Sequence, residues 1–263
     1  MEKLVIFADY GLDDAAATAT IFKNHERFDS ITVIPIGGNV PERISYRNCY
    51  TILSHYPELL YKVSVVSTEN EQQPSRYLAD IHGNDGMGDV IDHPSDQPTV
   101  SETTFEDWSK TVTGDEIILS LGPLTLVKKH LEKHACKQLV IMGGVVKTEP
   151  NYNGYEFNQA LDVEAFSYCT RLPHTVITLD TCRTEKLDMR RITVTGDDLH
   201  SRVLKADQVL SVSRKEDGCY VWDDVAACYL LFPERFKVTS VTDPYGNRVN
   251  NAEYISNKLY FEN

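Results

Sequence analysis

Asp9, Asp13 and Asp14 fall within six residues of one another, in the stretch LVIFADYGLDDAAATATIF from Leu4 to Phe22. They follow an apolar run directly, so like charges stand at the end of what reads as a buried strand. Unpaired carboxylates in such a place repel each other and lose hydration, so they either take up protons or hold a cation. Asp13 and Asp14 also sit about where a helix begins, and a helix N-terminus favours negative charge and offers free N–H donors. One aspartate capping that helix while the others face water is a second account of the same residues. Late in the chain, YVWDDVAACYLLFPERF (Tyr220 to Phe236) places Asp223 and Asp224 at the start of another apolar helix, just after Trp222. Taken with the first cluster, these could supply the second side of a hard-cation site, since calcium takes roughly six to eight oxygen ligands from carboxylates, carbonyls and waters. Asp9, Asp14, Asp223 and a backbone carbonyl would leave positions for water and substrate hydroxyls.

The elements that would position these groups alternate along the chain. Leu4–Phe7, Ile31–Ile36, Val63–Val66, Asp115–Leu121, Leu139–Met142 and Thr175–Leu179 read as strands. Asp13–Lys23, Glu42–Tyr56 behind Pro41, Leu124–His134 with Pro123 in its first turn, Val163–Thr170, Gly196–Leu210 and Val221–Leu231 read as helices. Such alternation predicts an open, mostly parallel α/β sheet with flanking helices, in a single domain over residues 1–263. In sheets of this kind ligands bind outside the carboxyl ends of the strands. The polar clusters recur there: Asp9 to Asp14, Gly37-Gly38-Asn39, Gly122, Gly143-Gly144 and Asp180 each follow a strand. Two long polar segments, Ser67–Thr113 and Lys147–Asn158, read as loops or excursions over the same face.

A net charge of −13 and an isoelectric point near 5.0 make the general surface repel nucleic acid and anionic membrane. No segment approaches the roughly 20 apolar residues of a membrane span. The strand pattern begins within three residues of Met1 and leaves no room for a signal peptide. Cys49, Cys136, Cys169, Cys182, Cys219 and Cys228 contain no C-x-x-C pair, which favours reduced, mostly buried thiols in a cytoplasmic protein.

At this point the residues resemble a known family. DYGLDDA is similar to the N-terminal D-x-D-P-G-x-D-D-A motif of the nucleoside hydrolases, calcium-dependent N-ribohydrolases, with its last three aspartates kept. GGNV at Gly37–Val40 with Arg47-Asn48 downstream, HGNDGMGDV at His82–Val90, LGPLT at Leu121–Thr125, MGG at Met142–Gly144, EFN at Glu156–Asn158 and WDDVAACYLLFPERF follow in the family's order. The resemblance runs from Leu4 to about Phe236. It implies hydrolysis of a ribonucleoside to base and ribose, with Ca2+ as cofactor and a homodimer or homotetramer as assembly. Asp9 would bind calcium and act as the base that activates a metal-bound water. Asp14, Asp223 and the Leu121 carbonyl would be further ligands. Asp13, Glu156 and Asn158 would bond the ribose hydroxyls, Asn39 would sit by the water and the sugar, and either Asn151 or Asn153 would be the loop asparagine on the ribose.

The chain also departs from the pattern. Phe7 and Ala8 replace a leading Asp-Thr, Tyr10 replaces proline, and Leu126 stands where asparagine is usual. Trp222 precedes Asp223 where the inosine-uridine branch has the histidine regarded as the acid for the leaving base. The resemblance implies that, as in the purine-specific branch, a tryptophan there stacks on the base and eases its protonation by solvent, which points to purine nucleosides; core packing is the competing role. His82 is the remaining candidate for an acid near the base, His93 reads as surface, and Trp108 as an anchor or a lid. A phosphatase needs D-x-D ending the first strand, and residue 7 is Phe. No G-x-x-x-x-G-K-[ST] loop appears, though Lys147 near Gly143-Gly144 keeps a nucleoside monophosphate in view. A modified-nucleoside hydrolase and a non-enzymatic nucleoside or ribose binder are the other readings, separated by whether free ribose accumulates.

Overall fold

The computed structural model describes residues 2–256. The chain begins with β1 (Glu2–Ala8), α1 (Leu12–Lys23), β2 (Phe28–Pro35), α2 (Glu42–Ser54) and β3 (Val63–Ser67). Next come α3 (Ala79–His82), β4 (Ser101–Thr104), α4 (Phe105–Thr111), β5 (Ile117–Ser120), α5 (Thr125–Leu131) and β6 (Gln138–Met142). Then follow α6 (Phe157–Leu161), α7 (Val163–Cys169), β7 (Thr175–Ile177), α8 (Leu179–Cys182), α9 (Leu199–Ser213), α10 (Trp222–Leu231), β8 (Phe236–Thr242) and β9 (Arg248–Tyr254).

β1 is apolar without alternation because both of its faces are covered. Leu4, Ile6 and Ala8 enter one core with residues of α1, α2, α9 and α10, whereas Val5 and Phe7 enter a second core with residues of α4, α5 and α7. The strands form one nine-stranded sheet in the order β4-β3-β2-β1-β5-β6-β7-β9-β8. Every neighbouring pair is parallel except the β8–β9 ribbon at one edge. Ile6 pairs with Val33 on one side and with Leu119 on the other, so β1 is central. Chain order reverses between β1 and β5, and a crevice at their carboxyl ends is the expected place for a ligand. Asp9 and Leu121 stand there.

The open, mostly parallel sheet is as the alternation predicts, with three differences. The segment Ser67–Thr113 is not all loop: it holds the edge strand β4 and the helix α4, whose Trp108 and Phe105 pack edge-on against Phe7 at 6.1 and 6.4 Å between ring centroids. Trp108 is an anchor and not a lid, being buried in that core. Thr175–Leu179 divides into a shorter strand and α8, and α9 begins at Leu199, after the expected start at Gly196, with Asp198 as its cap. The β8–β9 ribbon has no counterpart among the strands expected from the sequence. All six cysteines are free, and all but the half-buried Cys136 are buried. Among the described residues no helix is long and apolar enough to cross a membrane.

Candidate active site

The turn from β1 into α1 begins with Tyr10, a non-glycine residue at a φ of 37°. That left-handed conformation is costly. It is held by complete burial of the Tyr10 ring and by Asn48 Nδ2 donating to the Tyr10 carbonyl at 3.2 Å. The proline-to-tyrosine departure is thus absorbed as packing. Phe7, Ala8 and Leu126 are likewise buried in the two cores.

Beyond the turn, Asp14 caps its own helix. Its Oδ2 accepts the Gly11 N–H at 2.9 Å and its Oδ1 accepts the Asp9 N–H at 3.0 Å. Capping and cluster membership are therefore not alternatives for this residue. Asp9 Oδ2 accepts the Asn39 backbone N–H at 2.6 Å, and Asn39 Nδ2 lies 3.2 Å from Asp9 Oδ1 and 3.3 Å from Asp14 Oδ2. Asp13, Asp14 and Asp223 each offer an oxygen within 4.8 Å of the others, and all are buried. Asp9 is not in that tight trio; its oxygens turn to Asn39. Among the described residues no ion pair reaches any of the four, and Asp13 Oδ1 has no hydrogen-bond partner.

Burial, and next the charge of Asp14, push the Asp9, Asp13 and Asp223 carboxyls well above the usual range. Asp14 is also raised by burial, against the pull of the Gly11 N–H. Such a set is at ease only with protons or a cation. Its all-oxygen, all-acid chemistry and the orphaned Asp13 oxygen fit a hard divalent ion.

Facing this cluster, Glu156 caps α6. Its Oε1 accepts the Asn158 N–H, and its Oε2 accepts those of Gln159 and Gly144, at 2.9–3.0 Å. Asn158 Nδ2 donates to the Leu121 carbonyl at 2.8 Å, while its buried Oδ1 is unpartnered. A cavity of about 730 Å³ opens here, a size suited to a small organic ligand. Asp13, Asn39, Leu121, Glu156, Asn158 and Asp223 contribute to its wall, and so do His82, Trp222 and Asn151. On sequence alone Asn151 and Asn153 are equals. Asn151 lines the cavity, whereas Asn153 does not: it sits at a φ of 45° in the tip of a tight turn closed by paired Tyr152–Tyr155 backbone bonds.

His82 Nδ1 accepts the Leu12 N–H at 3.1 Å, and burial, helped by Arg214, pushes the imidazole down to about 3. His82 therefore presents a neutral ring that donates only through Nε2, and it is not an imidazolium acid. Trp222 is half-buried, with the Tyr220 ring at 5.3 Å and the Arg183 guanidinium 5.6 Å from its own ring. His93 is less exposed than expected, bonded to Thr51 at 2.7 Å with Asp85 at 3.5 Å. Lys147 is exposed and does not line the cavity.

Several residues outside the matched motifs shape the cavity wall. The Asp180 carboxylate accepts the N–H groups of Val146, Lys147 and Thr148 at 2.6–2.9 Å, and Arg183 donates to the Glu149 carbonyl at 2.7 Å. Together they fasten the loop after β6 as one wall. Tyr220, Asp207 and Arg214 close another. Tyr220 stands two residues from Trp222, and that proximity is a usable signal; Asp207 and Arg214 come from α9 and its end, remote from every motif.

The family model described as inosine-uridine preferring nucleoside hydrolase matches residues 4–253. The chain belongs to that family. It is a hydrolase acting on N-glycosyl compounds, of the ribonucleoside class. Nucleoside-hydrolase folds recur among solved structures. A purine-preferring ribonucleoside hydrolase from Gardnerella vaginalis has a TM-score of 0.68 at 23% identity, covering 98% of this chain and 94% of that one. A plant nucleoside hydrolase has a TM-score of 0.74 at 20% identity, covering 100% and 90%. An inosine-uridine preferring nucleoside hydrolase from Bacillus anthracis has a TM-score of 0.66 at 16% identity, covering 97% and 90%. No curated protein sequence matches the chain.

Proposed function

We propose that this nucleoside hydrolase cleaves purine ribonucleosides to free base and ribose, with calcium held by the carboxylate cluster. The observation that carries the reading is one cavity lined by buried Asp13 and Asp223, with Asp14 within 4.8 Å of both, Glu156 and Asn158 beside them and Trp222 on its wall. Asp9, Asp14, Asp223 and the Leu121 carbonyl would hold the ion, which when bound neutralises the cluster and lowers the pKa of water beside it. Asp13 and Glu156, both acceptors, suit the donating hydroxyls of a ribose. Asn158 Oδ1 is a free acceptor beside them. Asn39 fixes the Asp9 carboxylate through two contacts, so that Asp9 takes a proton from the attacking water in one orientation. The positive charge that develops on the sugar as the C1′–N bond breaks is met by this acidic floor.

A purine base is favoured by Trp222, whose ring offers a stacking face for a planar base. The G. vaginalis relative is named as purine-preferring, in keeping with this. A nucleoside monophosphate is disfavoured: the exposed carboxylates of Glu149, Glu216 and Asp217 line the cavity, and its two arginines, Arg183 and Arg214, are already engaged by protein groups. The test is a reducing-sugar assay with calcium over purine, pyrimidine and modified nucleosides. Release of ribose fastest from inosine, adenosine or guanosine is expected; faster release from uridine or cytidine overturns the purine assignment, and ligand binding without ribose overturns the enzymatic one.

A further inference from the structure

A purine leaves poorly as an anion, so breaking C1′–N calls for a proton on the base. The groups already given roles cannot supply it. Asp9, Asp13, Asp14 and Asp223 surround the cation site, Glu156 accepts three backbone N–H groups and is assigned to the ribose, and the His82 ring is neutral with Nδ1 occupied. Trp222 stands where the inosine-uridine branch has a histidine, and its indole carries no acidic proton. Of the further carboxyls that line the cavity, Glu149, Glu216 and Asp217 are exposed and Asp207 is not. Asp207, on α9, has a side chain only 14% exposed, and its contacts are weak: the Cys219 thiol donates to Oδ2 at 3.3 Å, and Arg214 Nη2 stands 3.9 Å from Oδ1. Asp207 and Trp222 line the same cavity, and Tyr220, which follows Cys219, has its ring 5.3 Å from that of Trp222.

We propose that Asp207 is the proton donor to the leaving base, an assignment that rests on the nucleoside-hydrolase reading above. Asp207 gives its carboxyl proton to a ring nitrogen as the C1′–N electron pair passes to the base. Water bonds to C1′ and its proton goes to Asp9. The neutral base departs, Asp207 is left as a carboxylate beside the Arg214 guanidinium, and exchange with solvent returns a proton to Asp207 and removes one from Asp9.

The surroundings suit that cycle. Burial lifts the Asp207 carboxyl to about 6, with the Cys219 thiol and Arg214 pulling down and Glu216 pushing up. The charged or titratable groups facing it are Arg214 and Glu216 beyond α9, Cys219 ahead of α10, and Asp13 at the start of α1, which feels its charge. Arg214 is itself tied to α3 through the Ile81 carbonyl at 2.9 Å, so the cation is fixed where the carboxylate forms.

The experiment compares inosine with p-nitrophenyl β-D-ribofuranoside, whose p-nitrophenolate leaves without taking a proton, in calcium-loaded wild type and in Asp207→Asn. The expected result is a fall in the inosine to p-nitrophenyl riboside ratio of kcat/KM by about 100-fold or more, the size of a general-acid contribution. Equal losses on both substrates, or no loss on inosine, overturn the assignment and leave the family activity standing. A wild-type protein inert on both substrates removes the underlying reading and this assignment with it. A second measurement needs no variant: wild-type kcat/KM on inosine falls as pH rises through about 6, where Asp207 loses its proton, and the p-nitrophenyl riboside lacks that limb. Coincident profiles for the two substrates overturn the proposal.

Discussion

Gly38 lies flat against the Asp9 carboxylate: a Cβ at position 38 would stand 1.8 Å from Oδ2 and 2.6 Å from Cγ. The φ of Gly38 is not in the left-handed region, so alanine is excluded there by the carboxylate alone and not by the backbone. Gly122 has the same relation, since a Cβ there would stand 2.8 Å from Asp9 Cγ and 3.0 Å from Oδ1. The side chain of Asp9 is therefore confined by two glycines. Gly38→Ala is expected to displace Asp9 and lower kcat by roughly 100-fold, the cost of about 1 Å of misplacement at a reacting group. Steady-state kinetics with a thermal melt test this; full activity in a folded variant contradicts that confinement.

The legible parts of this site are the ones written locally. Asp9, Asp13 and Asp14 follow one strand and open one helix, so the turn between them has to gather their charge. The glycines at 37, 38, 122, 143 and 144 mark the carboxyl ends of strands because each directly follows an apolar run. Two kinds of feature are hidden. Asp207 lies on α9 and Arg214 at its end, outside every matched motif, and only the path of α9 along the cavity brings them in. The β8–β9 ribbon is hidden because Asn250 and Asn251 are poor strand formers. They are tolerated at this edge because His174 Nε2 accepts the Asn250 N–H at 3.1 Å and Thr178 donates to Asn251 at 2.7 Å.

A divalent ion bound at the buried carboxylates is expected to stabilise the protein. At calcium about 100-fold above its dissociation constant, binding adds roughly 2.7 kcal/mol, an increase in Tm of about 5–10 °C for a chain of this size. EDTA is expected to reverse it and to stop ribose release. Asp223→Asn removes one of the repelling charges, so in EDTA its Tm rises above wild type while the calcium-induced shift disappears. Melts of both proteins with and without calcium decide the matter; an unchanged calcium shift in the variant excludes Asp223 as a ligand.

Asp198 joins two helices. Its Oδ1 accepts the Ser201 N–H at 2.8 Å as the cap of α9, and Lys23 at the end of α1 reaches its Oδ2 at 2.9 Å. The capping N–H and Lys23 outweigh partial burial and hold the carboxyl down at about 2. A carboxyl lower in the folded state than in the unfolded one stabilises above its unfolded value near 4 and ceases to as pH falls through the folded value. Asp198→Ala is expected to cost about 1 kcal/mol at pH 7, a cap's usual worth, with little added by the half-exposed ion pair. The gap from wild type should close between about pH 4 and 2. Denaturant titrations at pH 7 and pH 3 measure it, and a gap that widens toward acid contradicts the sign.

Trp222 offers the sharpest test of base preference, because its two roles leave different signatures. Its ring touches Tyr220 and Arg183 and it opens α10 directly before Asp223, so truncation disturbs both packing and the cluster. Stacking on a base is worth about 1–3 kcal/mol by alanine substitution, which is roughly 5- to 150-fold in kcat/KM. If Trp222 stacks, Trp222→Ala loses that factor on purine nucleosides and much less on a riboside with no extended base, while Trp222→Phe recovers most of it. If the ring only packs, every substrate declines together in step with a lowered Tm, and Trp222→Phe restores stability and activity in parallel. The two variants assayed on inosine, uridine and a simple riboside, each with a melt, separate these outcomes.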